Sequence, residues 1–276
     1  MKKIVFALCV SLMAGLSFSY TGADVNSKLG DFANEINVTL PNAATQQNVY
    51  SSAWIGKVFP STPPHFALGI EAGVTKFNLK PLKDMAKIFG VSGLPDLMVY
   101  PTITANARVG GFFLPFDIGF SAMYLNLSKL DSFAEGLGIK FFNIGGDIRY
   151  AILKGEGAAP QLSLGFGYYY IGGSVSYGES GLKANLDYAS HTMFGQVQLS
   201  KTFMFFTPYL GFRGIFSKSA TDWSWSVSAA KVSPDYVDTT FGGSGKNSNS
   251  FGEKFMPQIY GGFGLNFGAF ALNFGA

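Results

Sequence analysis

Few side chains in this sequence combine the residue types and the spacing that nucleophilic or metal chemistry requires. Ser190 and His191 are adjacent, but a lone histidine beside a serine is the pattern of an interfacial residue rather than of an activated nucleophile, whose base is oriented by a third group. The chain has two histidines and one cysteine, Cys9, which lies in an apolar N-terminal segment. We therefore expect no catalytic residue, no metal site and no cofactor, and we expect that the protein is not an enzyme.

Six charged residues lie on one side of an alternating pattern, opposite the apolar residues of the same segments. An arginine or lysine that faces the middle of a lipid bilayer costs about 2–4 kcal/mol, so this sorting is expected where the apolar side faces lipid. We predict a polar layer inside the protein, arranged as a structural ion-pair network, with a polar constriction for solutes as the alternative. The six residues are Glu71, Arg108, Asp117, Asp147, Arg149 and Arg213.

The elements that must position these charges alternate with a period of two residues, which indicates β-strands. Only 13% of the residues are charged, 16% are aromatic and 35 are glycine, while no apolar run after residue 20 is long enough for a transmembrane helix. High apolar content with alternation is typical of membrane barrels. The sequence predicts an all-β fold, an antiparallel transmembrane β-barrel of about eight strands (eight to ten). The alternating runs are 66–75, 97–109, 116–124, 142–152, 162–170, 192–199, 210–216 and 258–267.

Near one end of these runs, the residues on the inner side are apolar instead of polar. Small barrels fill their interior with side chains, so simple packing explains this lining. The alternative is a pocket for a hydrophobic ligand. The residues are Met123, Leu125, Phe141, Tyr169, Ile171 and Phe194.

The N-terminus has the three parts of a secretory signal peptide. Met1-Lys2-Lys3 is basic, Ile4 to Leu16 is mostly apolar, and small residues follow through Ser19. The apolar run is shorter than the roughly 18 to 20 residues that span a bilayer. We predict a cleaved signal peptide at 1–19 and a location in the outer membrane of a diderm bacterium.

Between the signal peptide and the barrel lies a segment whose apolar residues recur at the spacing of a helix instead of that of a strand. Its apolar residues predict a helix that ends before Pro41. We expect residues 20–63 to be a periplasmic or lumenal plug and residues 64–276 to be the barrel. The plug either fills or caps the barrel or acts as a moving gate. The helical positions are Val25, Leu29, Phe32, Ala33, Ile36 and Leu40.

The connections between runs differ in length. Long loops are expected at 79–95, with a short helix from Pro81 to Gly90, and at 128–139, 178–189 and 217–254, where residues 242–250 read as a flexible polar tip. Outer-membrane barrels place their long loops outside the cell. At Gly268 and Ala269 the alternation changes phase, which indicates either a bulge in one long eighth strand or a tight turn into a ninth.

Charge and pattern together indicate which partners to expect. The chain has 20 Lys and Arg against 17 Asp and Glu, and Lys2 and Lys3 lie in the signal peptide, so the rest of the chain is close to neutral. A nucleic-acid partner would need clustered positive charge, and nothing in the sequence indicates one. The expected partners are the lipid bilayer, the barrel-assembly machinery and a hydrophobic small molecule.

Over residues 64–267 the pattern resembles bacterial outer-membrane β-barrel proteins, in the style of the small hydrophobic-compound channels of the OmpW and FadL kind. The resemblance implies a narrow channel or transporter for small hydrophobic or amphipathic compounds. The alternative is a closed-lumen surface protein, adhesin-like, that acts through its extracellular loops.

Overall fold

The computed structural model describes residues 22–45, 50–55, 64–78, 80–81, 96–111, 114–126, 137–179, 182–228, 240–267 and 270–275. In this part of the chain the fold is all-β: ten strands form one curled antiparallel sheet, a half-barrel, and one long helix precedes them. Ten strands replace the expected eight. The elements are α1 (Gly22–Thr45), β1 (His65–Asn78), β2 (Leu97–Gly110), β3 (Phe116–Asn126), β4 (Leu137–Lys154), β5 (Gln161–Glu179), β6 (Leu182–Ser200), β7 (Phe206–Ser228), β8 (Thr240–Asn249), β9 (Phe255–Phe267) and β10 (Phe270–Gly275).

Each strand pairs with the next along the chain, except around β7. This long strand pairs with β8 over one half and with β9 over the other, so β8 and β9 together form its partner. The sheet ends at β1 and β10, and no ladder joins these two among the described residues. We call the end where β2, β4 and β6 pass into the next strand the turn end, and the opposite end the loop end. The concave side of the sheet is called the lumen.

The alternation in the sequence separates the two faces of the sheet. The convex face carries large apolar side chains that are highly exposed, such as Leu68 at 85% and Ile70 at 80%. The lumen face carries buried charges, and Arg108 is only 2% exposed. A water-soluble protein has the reverse arrangement, because burial of apolar surface drives its folding. The convex face is therefore suited to an apolar surrounding.

Two regions expected to be long loops are largely strands over the residues that the structure describes. Residues 178–189 belong mostly to β5 and β6, which extend as a hairpin, and 217–254 contains the second half of β7 and all of β8. The expected flexible tip at 242–250 lies almost entirely in β8, where Gly243 and Gly245 pack against the rings of Trp225 and Trp223 on β7. A Cβ added at Gly245 would overlap the ring of Trp223.

Helix α1 continues through Pro41, so the expected end before this residue is wrong. A proline inside a helix removes one backbone hydrogen bond and costs about 3 kcal/mol. Contacts beyond the proline offset this cost, because Ala43, Ala44 and Thr45 are buried. None of the helical residues in the described ranges forms a helix long and apolar enough to cross a membrane.

At the C-terminus, the alternative of a turn into another strand is the correct one. β9 ends at Phe267, and Phe270 of β10 is its antiparallel partner. The expected signal peptide lies outside the described residues, as does the short helix at 81–90 except for Pro81, and so do most of the expected loops 79–95 and 128–139.

Candidate functional site

Four of the six predicted charges form one buried ion-pair cluster in the lumen, on β2, β3 and β4. Arg108 contacts both Asp117 and Asp147. Arg149 binds Asp117 with two parallel hydrogen bonds, each 2.9 Å long. The sheet register makes this possible because Asp117 lies directly opposite Arg149. Two positive and two negative charges balance within the cluster, and all four side chains are buried.

Arg213 and Glu71 lie outside this cluster. The Arg213 guanidinium is 4.7 Å from the ring centres of both Phe194 and Tyr260. It also donates a hydrogen bond to the carbonyl oxygen of Thr45, the last residue of α1. A cation at this position is favourable because the carbonyl end of a helix is partly negative. Glu71, on β1, accepts a 3.2 Å hydrogen bond from Asn106.

A short segment after the helix, residues 50–55, binds the lumen wall near the turn end; we call it the latch. Its backbone uses side chains of the wall as hydrogen-bond partners, including a carboxylate of the ion-pair cluster. The latch contacts are Ala53 N to Ser200 Oγ (2.8 Å), Ile55 N to Asp117 Oδ2 (3.0 Å), Ser51 N to Asn273 Oδ1 (3.2 Å), Arg149 Nη1 to Ser52 O (3.0 Å) and Gln198 Nε2 to Tyr50 O (2.6 Å).

The first latch residue, Tyr50, has a partly buried phenol. The hydroxyl of Tyr50 donates to Asn106 Oδ1 at 2.7 Å, and the Arg108 guanidinium lies 5.3 Å from the centre of its ring. Burial raises the pKa of Tyr50 to about 12. The latch and the ion-pair cluster are therefore one connected polar layer.

The apolar lining predicted near the loop end is covered by helix α1. Its buried residues Ala33, Ile36, Leu40 and Ala44 pack into one cluster with the lining. The side chain of Leu125 lies outside the described part of the chain. The lining residues in this cluster are Met123, Phe141, Tyr169, Ile171 and Phe194.

Polar contacts fix the helix to β7 and β8, and the sequence analysis did not identify them. Thr221 Oγ1 donates to Asn37 Oδ1 at 2.8 Å, and Trp225 Nε1 donates to Asn26 Oδ1 at 3.1 Å. The serine-tryptophan alternation on β7 was the available signal, since it places Trp223 and Trp225 on the lumen face. Because Asn26 lies near the start of α1, the helix begins at the loop end and runs towards the latch.

Ser190 and His191 do not form a pair. Ser190 is buried and lies 2.8 Å from Ser219 Oγ, whereas His191 is exposed on the convex face, with Nδ1 2.7 Å from the hydroxyl of Tyr168. Among the residues that the structure describes, no three His, Cys, Asp or Glu side chains are grouped so that they could hold a metal ion.

Comparison of the chain with family models, with curated proteins and with solved structures gives no match. The resemblance to outer-membrane channels therefore stays a prediction from the sequence pattern.

Proposed function

We propose that this protein is an outer-membrane β-barrel whose N-terminal segment closes its lumen, and that it passes small hydrophobic or amphipathic compounds when this segment moves. The two faces of the sheet support the membrane location. Exposed apolar side chains cover the convex face, and the charges are buried in the lumen. This arrangement suits a sheet that is surrounded by lipid.

The observation that carries the transport proposal is the contact between α1 and the apolar lining. The lining is an apolar surface inside a wall whose other lumen residues are largely polar, and the apolar face of the helix occupies it. A hydrophobic compound would bind the same side chains once the helix has left. The helix thus takes the place of a ligand in the closed state.

A closed-lumen surface protein is the second candidate, and one observation favours it. β5 to β8 continue beyond the exposed apolar residues, and their convex face there carries exposed polar residues such as Asp187 and Asp222. Lys246 lies 3.7 Å from Asp222 on the neighbouring strand. Such a ribbon would stand outside the membrane and offer a polar surface to a partner.

A disulfide that fixes the helix to the wall tests the proposal. The side-chain oxygens of Asn37 and Thr221 are 2.8 Å apart, so Asn37→Cys with Thr221→Cys would join α1 to β7. Cys9, the one cysteine of the sequence, is replaced by serine in both variants so that it cannot pair with an introduced cysteine. The matched control is Ser190→Cys with Ser219→Cys, which joins β6 to β7 within the wall.

The readouts are heat-modifiable gel migration, which reports a closed barrel, and conductance in planar bilayers. We expect discrete conductance from the Asn37–Thr221 variant in its reduced form, its loss on oxidation, and no such loss in the control. A heat-modifiable barrel without conductance, even after deletion of residues 24–40, would refute transport and favour the surface protein. Failure to migrate as a folded barrel would refute the membrane proposal itself.

A further inference from the structure

The convex face changes from apolar to polar along a line that passes near the loop end of β4 and through the middle of β6 and β7. On β4 the first charged residue past the apolar band is Lys140, on β6 the first polar one is His191, and on β7 the first charged one is Lys218. All three side chains are exposed. On the apolar side of this line, Phe142 and Phe216 lie two residues away on their strands. Between β4 and β6 the line is oblique, because the register connects Lys140 through β5 to Asp187, four residues from His191. Such an offset is expected where tilted strands meet a flat membrane surface.

His191 and Lys218 form the most compact basic pair on this line. They lie directly opposite each other in the register of β6 and β7. Two tyrosines of β5 flank the histidine, since Tyr168 hydrogen-bonds its Nδ1 at 2.7 Å and the Tyr170 ring centre is 4.9 Å from its own. When the phenol donates to Nδ1, the remaining proton of the neutral imidazole is on Nε2, which then serves as a donor.

We propose that His191, Lys218, Tyr168 and Tyr170 bind the phosphate group of an anionic membrane lipid. This site rests on the proposed membrane location. A histidine N–H and a lysine ammonium are donors that a phosphate accepts, and aromatic side chains are enriched at the level of lipid headgroups. The apolar residues on the turn-end side of the pair would contact the acyl chains of the same lipid.

The chemistry of the neighbouring surface supports a lipid rather than a soluble phosphate. The pair lies at the border of the exposed apolar band, where a headgroup and its chains are both accommodated. Next beyond the pair, the convex face of the same strands carries Asp187 and Asp222, which lie directly opposite each other and disfavour an anion at that level. Lys183 lies four residues further out than Asp187. The position of the positive charge therefore matches the depth of a headgroup.

The test measures lipid binding to the protein refolded in a neutral detergent, by native mass spectrometry. Phosphatidic acid is the probe, and phosphatidylcholine is the reference lipid. The variants are Lys218→Ala and His191→Ala, alone and combined. Lys183→Ala is the matched control because Lys183, like Lys218, is an exposed lysine; it lies on β6, eight residues beyond His191 and outside the apolar band.

We expect the wild type to prefer phosphatidic acid, and Lys218→Ala to reduce this preference about fivefold, as for one basic residue near an anionic membrane surface. The double variant should lose the preference and the control should keep it. Equal loss in the control, or retention in the double variant, would overturn the site while heat-modifiable migration still reports a folded barrel. A wild type that fails to migrate as a barrel would overturn the membrane proposal and the site with it.

Discussion

Asp117 is the residue whose removal should disturb the lumen most. It accepts hydrogen bonds from both cluster arginines and from the backbone of Ile55, and its side chain is fully buried. Asp117→Asn keeps the shape of the side chain but removes its charge. Arg149 then loses its carboxylate partner while Arg108 keeps Asp147, so the cluster changes from neutral to a net charge of +1.

The size of the effect follows from the burial of the charges. Removing one partner of a buried ion pair costs about 3–5 kcal/mol, because the other charge stays away from water without compensation. We expect Asp117→Asn to lower the free energy of unfolding by this amount. Asp222→Asn is the matched control, because the pair of Asp222 and Lys246 is exposed and such pairs contribute about 0–1 kcal/mol.

The assay is reversible urea unfolding in lipid vesicles, followed by tryptophan fluorescence. The combined change Asp117→Asn with Arg149→Met restores a neutral cluster, so it should be less destabilising than the sum of its single changes. If Asp117→Asn and Asp222→Asn had the same effect within about 0.5 kcal/mol, the reasoning from buried charge would be refuted. Strict additivity in the double variant would refute the proposed coupling of the two side chains.

Three further perturbations test the packing of the lumen. A Cβ at Gly167 would overlap the buried ring of Phe194, so Gly167→Ala should lower the free energy of unfolding in urea by about 1–3 kcal/mol. Gly195→Ala, with no atom within 4 Å of the added Cβ, should change it little, and equal costs would contradict the packing. Ile36→Ala should weaken helix docking by about 2–5 kcal/mol and shift the emission of Trp223 to longer wavelength, and an unchanged spectrum and unfolding midpoint would argue against docking. The difference between the absorbance titrations of the wild type and of Tyr50→Phe should show a phenol that ionises near pH 12 and not near its ordinary 10.0. The stabilisation that follows from this raised pKa is complete below pH 10 and is lost as the pH rises through 12.

The faces of the sheet could be predicted from the sequence because alternation in a strand depends on local spacing alone. Apolar residues at every second position of 66–74 necessarily share one face. The lengths of β5 to β8 could not be predicted in the same way, since serine and glycine are common in loops. Their strand structure depends on tertiary contacts, such as the ring of Trp223 against Gly245, which only the register reveals.

The side of the sheet on which each charge lies was also predictable, but its neighbours were not. Parity assigns Arg213 and Arg149 to the same face, yet only the register separates Arg213 from the cluster and places it at the end of α1. The latch had no sequence signal, because its backbone atoms make most of its contacts and any residue supplies these. The helix was predictable from its apolar spacing, whereas its path through Pro41 depends on packing against the wall.

The contacts of helix α1 and of the latch with distant parts of the chain have a consequence for the order of folding. Asn37 bonds a residue 184 positions further along the chain, Trp225 bonds one 199 positions before it, and Ser51 bonds one 222 positions after it. Such a high contact order makes folding slow, because a long loop must close before each contact forms. Helix α1 can complete these contacts only after the last strands have formed, so a chain that stops before β7 would leave the helix without most of its polar contacts to the wall.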